Sequence, residues 1–117
     1  MILIVDDEPM ICLALGELLQ DVGYEVIDAN DGAGARARFG PHVAAVLLDV
    51  RLPDVGQLEL LAWFKEQNPA CVVLMMTGNG PMALEAEARR LGAAGFLHKP
   101  FSIEGMLGVV QRLVPRG

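Results

Sequence analysis

The stretch Val43-Ala44-Ala45-Val46-Leu47-Leu48-Asp49 decides the fold. Six apolar residues without polar alternation describe a strand covered on both faces, as at the centre of a parallel sheet. The run ends on a carboxylate. Three similar runs share that habit: Ile2-Leu3-Ile4-Val5 meets Asp6-Asp7, Cys71-Val72-Val73-Leu74-Met75-Met76 meets Thr77, and Gly95-Phe96-Leu97-His98 meets Lys99. As parallel strands of one sheet they carry Asp6, Asp7, Asp49, Thr77 and Lys99 to a single edge. That carboxyl edge is where open α/β sheets bind their ligands.

The segments between these runs read as helices. Pro9 opens the first, and Ile11, Ala14, Leu15, Leu18, Leu19 and Val22 recur at helical spacing before Gly23 ends it. A charged run at 24–29 predicts a strand near a sheet edge. Helices are predicted over 31–39, 58–67 and 82–91, closed by Gly40-Pro41, Asn68-Pro69 and Gly92 in turn. The last follows Ser102, a good N-cap, with Ile103, Met106, Leu107, Val110 and Leu113 on one face. Strands are expected at 2–5, 24–29, 43–48, 71–76 and 94–98. This is a (βα)5 chain, hence α/β: a five-stranded parallel, doubly wound sheet of flavodoxin-like strand order 2-1-3-4-5. In that order the first and third strands are neighbours, and Asp6, Asp7 and Asp49 face one crevice.

The 117 residues suit one domain spanning 1–117, and 53% hydrophobic content supplies a full core. A net charge of −6, with Arg89-Arg90 the only adjacent basic pair, argues against a nucleic-acid surface. No apolar stretch approaches the ~20 residues that cross a bilayer. The amino-terminal run has no basic segment and meets two acids at once, unlike a secretory signal. Cys12 and Cys71 form no CxxC pair and read as buried small hydrophobes in a reducing cytoplasm.

Three carboxylates crowded into a crevice repel, and either a proton or a cation relieves them. Oxygen donors, with no His or Cys nearby, select a hard ion such as Mg²⁺, Mn²⁺ or Ca²⁺ rather than zinc. Asp49 stands alone at the central strand's end and is the candidate nucleophile. Carboxylates serve as nucleophiles in phosphoryl transfer, where catalysis is mostly placement and charge neutralisation. A cation, Lys99 and the Thr77 hydroxyl would each take one phosphoryl oxygen.

The segments Ile2-Leu3-Ile4-Val5-Asp6-Asp7-Glu8-Pro9, Leu48-Asp49-Val50-Arg51-Leu52-Pro53-Asp54, Met76-Thr77-Gly78 and Lys99-Pro100-Phe101 together resemble the response-regulator receiver domain of two-component signalling. The resemblance runs over essentially the whole chain. It implies that Asp49 accepts a phosphoryl group from a sensor histidine kinase and that Mg²⁺ is held by Asp7, Asp49 and the Arg51 main-chain carbonyl. Asp6 would act through a bound water. It implies that Thr77 is the switch hydroxyl, Lys99 the phosphate-pairing lysine and Phe96 the switch aromatic, and that the Lys99–Pro100 bond is cis. Arg51 and Asn79 would tune phosphate lifetime. The implied output is a changed surface on the fourth helix, fifth strand and last helix, read by an effector domain, a partner or a second copy of the chain. The alternative is a stand-alone phosphorelay or scaffolding receiver without its own effector. The implied protein is cytoplasmic, makes no direct nucleic-acid contact, and is no enzyme beyond its own phosphorylation and slow dephosphorylation.

One departure stands out: where the family carries glycine before the third helix, this chain has Gln57, preceded by Gly56. Either the turn has moved by one residue or its geometry differs. Two other classes fit less well. A haloacid-dehalogenase-type phosphatase needs Asp-x-Asp where this chain has Asp49-Val50-Arg51. A flavodoxin-type cofactor module needs a phosphate-binding loop where it has Asp6-Asp7-Glu8-Pro9. Glu8 and Asp54 read as surface charges, His42 and His98 as bystanders, and Trp63, Met75 and Met76 as packing residues. The run Glu85 to Arg90 reads as a solvated helix face within the output surface.

Overall fold

Alternating apolar runs and amphipathic stretches fold as β1 (Ile2–Val5), α1 (Pro9–Asp21), β2 (Val26–Ala29), α2 (Gly32–Arg38), β3 (Ala45–Asp49), α3 (Glu59–Gln67), β4 (Val72–Thr77), α4 (Met82–Arg90), β5 (Gly95–His98) and α5 (Ile103–Leu113). A computed structural model of the chain describes residues 1–56, 58–78, 82–100 and 102–115, with the backbone alone at 82 and 83. The strands form one parallel sheet in the order β2-β1-β3-β4-β5, as expected. Val5 pairs with Leu48 and Asp49 with Met76, so β1 and β3 end side by side where the strand order reverses.

The two-residue period of the strands builds two cores. Leu3, Val5, Val46, Leu48, Val73 and Met75 face α2, α3 and α4, where they meet Ala35, Leu60, Leu61, Phe64 and Ala88. Ile2, Ile4, Ala45, Leu47, Leu74 and Met76 face α1 and α5, meeting Cys12, Leu15, Leu19, Met106 and Val110. All five residues of β3 are buried, which explains their lack of alternation. Truncating one such leucine to alanine would cost about 2–5 kcal/mol.

Some boundaries differ from the sequence reading. β2 begins at Val26, because Tyr24 turns inward and its hydroxyl donates to the Val114 carbonyl at 2.6 Å. β3 starts two residues late, after Ala44 N–H donates to the Met1 carbonyl at 2.9 Å. β3 and β4 each run one residue further than expected and include Asp49 and Thr77 themselves. The two side chains therefore leave from strands rather than loops. Gly23, at φ 100°, closes α1 in the conformation that side-chain-bearing residues resist. Gly56 has no such φ; among the described residues Gly23 and Gly92 alone do. A shift of the left-handed turn onto Gly56 is therefore not what the chain does, and Gln57 lies outside the described residues.

Candidate functional site

The β1–α1 connection begins with Asp6, which the sheet end buries completely. Such a carboxylate must find partners. Its Oδ1 accepts from the Glu8 N–H at 2.9 Å and its Oδ2 from Lys99 Nζ at 2.9 Å. Its carbonyl accepts from Asn30 Nδ2 at 3.0 Å. Asp7 and Glu8 are exposed, and one carboxylate oxygen from each of Asp6, Asp7 and Glu8 lies within 4.8 Å of the others. Glu8 thus belongs to the acidic group. Its exposure agrees with the surface charge that the sequence reading expects.

Asp49, at the tip of β3, is 6% exposed. Its Oδ1 accepts from the Arg51 N–H at 3.2 Å, and Lys99 Nζ stands 3.6 Å from its Oδ2. Burial raises its carboxyl above the ordinary range, opposed by the Arg51 N–H and reinforced by the Asp6 charge. Lys99 leaves from the end of β5, where its N–H donates to the Thr77 carbonyl at 2.6 Å and its bond to Pro100 is cis. Burial is the largest influence on its ammonium and acts downward. The hydrogen bond to Asp6 and the charges of Asp49 and Asp6 together outweigh it and hold the ammonium above its usual value. Asp7, Glu8, Asp49, Val50, Arg51, Gly78 and Lys99 line one cleft of about 240 Å³. A water takes about 30 Å³ of liquid, so an ion with part of its hydration and a phosphoryl group fit together. The acidic side chains that line it offer oxygens as ligands, which suits Mg²⁺.

Cys12 is the correction to the reading that no sulfur lies near. Its Sγ approaches the Asp6 carbonyl at 3.6 Å from the core side. Burial pushes the thiol up to about 11, so it stays protonated at neutral pH.

Thr77 ends β4 beside Gly78 of the cleft; it is 3% exposed, and among the described residues its hydroxyl has no hydrogen-bond partner. The register sets Phe96 opposite Met75 and His98 opposite Thr77, on the face that packs against α4. Phe96 is half-buried there. The Arg89 guanidinium lies 4.7 Å from its ring centre, and the His98 ring runs parallel to it at 6.4 Å. His98 Nε2 also pairs with Glu85 of α4. Neither His98 nor the Glu85–Arg90 run is simply solvated: Glu85 and Arg89 tie α4 to β5, and Glu87 pairs with Arg90. His42 is exposed, and Trp63 packs against Phe39 and Phe64 as expected.

Asp54 is no free surface charge. Its two oxygens accept from the N–H groups of Gly32 and Ala33, at 2.7 and 3.0 Å, at the start of α2. The Gly32 N–H chiefly holds its carboxyl below the usual range. Asn79 and Phe101 lie outside the described residues.

A family model described as the response regulator receiver domain matches residues 2–111. The chain is 34% identical over 114 residues to the C4-dicarboxylate transport transcriptional regulatory protein DctD of Pseudomonas aeruginosa, covering 95% of this chain and 24% of that protein. It is 33% identical over 114 residues to the transcriptional regulatory protein FixJ of Bradyrhizobium diazoefficiens, covering 97% and 56%. It therefore spans about a quarter of one relative and just over half of the other. The crystal structure of the receiver domain of NtrX from Brucella abortus superposes with a TM-score of 0.90 at 32% identity, each chain covered fully. On the match over residues 2–111, with five parallel strands in the same order, the chain belongs to the response regulator receiver domain family.

Proposed function

We propose that Asp49 is a phosphoacceptor and that the chain is the phosphorylation-controlled switch of a two-component system. One observation carries the reading: Lys99 Nζ sits between buried Asp6 and Asp49, 2.9 and 3.6 Å away, in a cleft lined by further carboxylates. An Asp49 oxygen attacks phosphorus, and the bond from phosphorus to the imidazole nitrogen of a kinase phosphohistidine breaks, its electron pair leaving with the nitrogen. Burial makes Asp49 more basic than a solvated carboxylate, and more nucleophilic with it. Lys99 is close enough to pair with a phosphoryl oxygen once Asp49 carries one. The Thr77 hydroxyl, which has no partner among the described residues, would donate to another.

Asp7, Asp49 and the Arg51 carbonyl would hold Mg²⁺, with Asp6 acting through water. Bound there, the ion would neutralise charge on the phosphoryl oxygens. Thr77 moving toward the phosphoryl group vacates space beside Phe96, and the contacts of Phe96 with Arg89 and of His98 with Glu85 carry the change from β5 to α4, within the surface made by α4, β5 and α5. That surface is the proposed contact for an effector domain, a downstream protein or a second copy. The relatives' names as transcriptional regulatory proteins support an output in transcription. The family and the chemistry support a cytoplasmic setting, and among the described residues no helix is long and apolar enough to cross a membrane.

The test is mass spectrometry after incubation with acetyl phosphate and Mg²⁺. One phosphoryl group is expected on the chain and none on Asp49→Ala. No adduct, or one that survives the substitution, rejects the reading.

A further inference from the structure

We infer that Asp54 is a positioning residue for the metal-ligating loop, and that it works by clamping that loop to the start of α2. The inference rests on the phosphoacceptor reading above and concerns how the site is held.

A main-chain carbonyl has no rotamer to adjust, so the position of the Arg51 carbonyl depends wholly on the backbone from Asp49 to α3. Mg²⁺ tolerates little error, requiring near-octahedral ligands at about 2.0–2.1 Å. The loop is exposed over much of its length and needs external ties. Asp54 supplies one. A helix leaves its first N–H groups without intrahelical acceptors. In α2 the Asp31 side chain takes only the Gly34 N–H, at 2.7 Å. The N–H groups of Gly32 and Ala33 go to Asp54, 22 and 21 residues along the chain. The loop thus completes the cap of α2, and α2 in turn fixes the loop.

Two further contacts point the same way. Val55 packs on Gly32 so closely that a Cβ there would lie 2.4 Å from Val55 Cγ1 and 3.0 Å from Asp54 Oδ1. At the loop's far end Glu59 Oε2, in the first turn of α3, accepts from Arg36 of α2 at 2.7 Å, a second tie to α2. Asp54 and Gly32 together let the loop lie flat on a helix that is itself packed on the sheet through Ala35.

The test is calorimetric titration of Mg²⁺ into the metal-stripped chain and into Asp54→Ala, Asp54→Asn and Gly32→Ala, with thermal unfolding in chelator recorded for each. Asp54→Ala and Gly32→Ala are expected to weaken Mg²⁺ roughly tenfold, the lower end of what supporting partners of metal ligands contribute. Asp54→Asn should fall between, since its amide oxygen still accepts one N–H. Gly32→Ala changes no charge, and repeating the Asp54 titrations in about 1 M salt, where the Debye length is about 3 Å, removes any long-range effect of the lost carboxylate. If Asp54→Ala does not fold, Asp54→Asn and Gly32→Ala decide. Wild-type affinity in the folded variants, or a loss that vanishes in high salt and is absent from Gly32→Ala, overturns the clamp and leaves the phosphoacceptor reading intact. A wild-type chain that binds no Mg²⁺ overturns both.

Discussion

Lys99 Nζ lies 2.9 Å from Oδ2 of Asp6, a residue 93 positions earlier in the chain, and this ion pair joins the two ends of the fold at the sheet's carboxyl edge. Asp6 is fully buried while Lys99 is about a quarter exposed, so the carboxylate depends on the lysine more than the reverse. Lys99→Met would strand Asp6 without its counter-charge. The expected cost is about 2–4 kcal/mol, near the lower side of what removing one partner of a buried pair causes. Mg²⁺ should restore part of it, since a divalent ion replaces the missing charge. Urea unfolding with chelator and with Mg²⁺ measures both. The Lys99 contribution should also fade as pH rises through its raised ammonium value, being complete below the unfolded one.

Asp49 bears the opposite relation to stability. Its carboxyl is raised by burial first and by the Asp6 charge among the lesser causes, so the native state holds its proton more tightly than the unfolded chain does. Stability from this group therefore grows as pH falls through the native value and is absent once the carboxylate is ionised. Asp49→Asn should raise the urea midpoint at neutral pH in chelator and abolish phosphorylation. A midpoint that falls would contradict the electrostatic account of the cleft.

Much of this geometry was legible in the chain because the strands' burial made it so. A run such as residues 43–48 has no polar side chain to misplace, and the residue that follows it has to emerge at the sheet edge. That is why Asp6, Asp49 and Lys99 converge as the runs implied. Asp54 escaped because its partners are backbone N–H groups of Gly32 and Ala33, and a backbone donor leaves no mark in residue type. His98 escaped for a related reason: its tie to Glu85 depends on α4 lying over β5, a tertiary arrangement that spacing along either segment does not record. The early end of the strand prediction at 43–48 reflects a different limit. Asp49 continues the ladder with Met76 even though it is charged, because its side chain reaches the cleft while its backbone stays in the sheet.

The two buried thiols predict an alkaline weakness. Burial pushes Cys12 and Cys71 from the usual 9.0 up to about 11. Each therefore contributes stability below pH 9 that is lost as pH rises toward 11, about 2–3 kcal/mol per thiol as an upper figure. A Cys12→Ala, Cys71→Ala double variant should show a flatter decline over that window. Native-state labelling with a thiol reagent at pH 8 should be far slower than in urea, where both sites are open.

The Thr77 hydroxyl is the remaining anomaly, a buried polar atom at the tip of β4 without a partner among the described residues. Leaving such a group unsatisfied costs about 1–3 kcal/mol. Thr77→Val keeps the shape and β-branching while removing the hydroxyl, so the unphosphorylated chain should become more stable by about 1 kcal/mol. The same variant should still accept a phosphoryl group at Asp49 but lose the donor that the phosphoryl oxygen would recruit. Phe96 would then keep its place against Arg89 after phosphorylation. Urea unfolding gives the first result, and the ring resonances of Phe96 with and without beryllofluoride give the second. A destabilised Thr77→Val would mean that the hydroxyl already has a partner in the resting chain, and an unchanged Phe96 response would remove Thr77 from the switch.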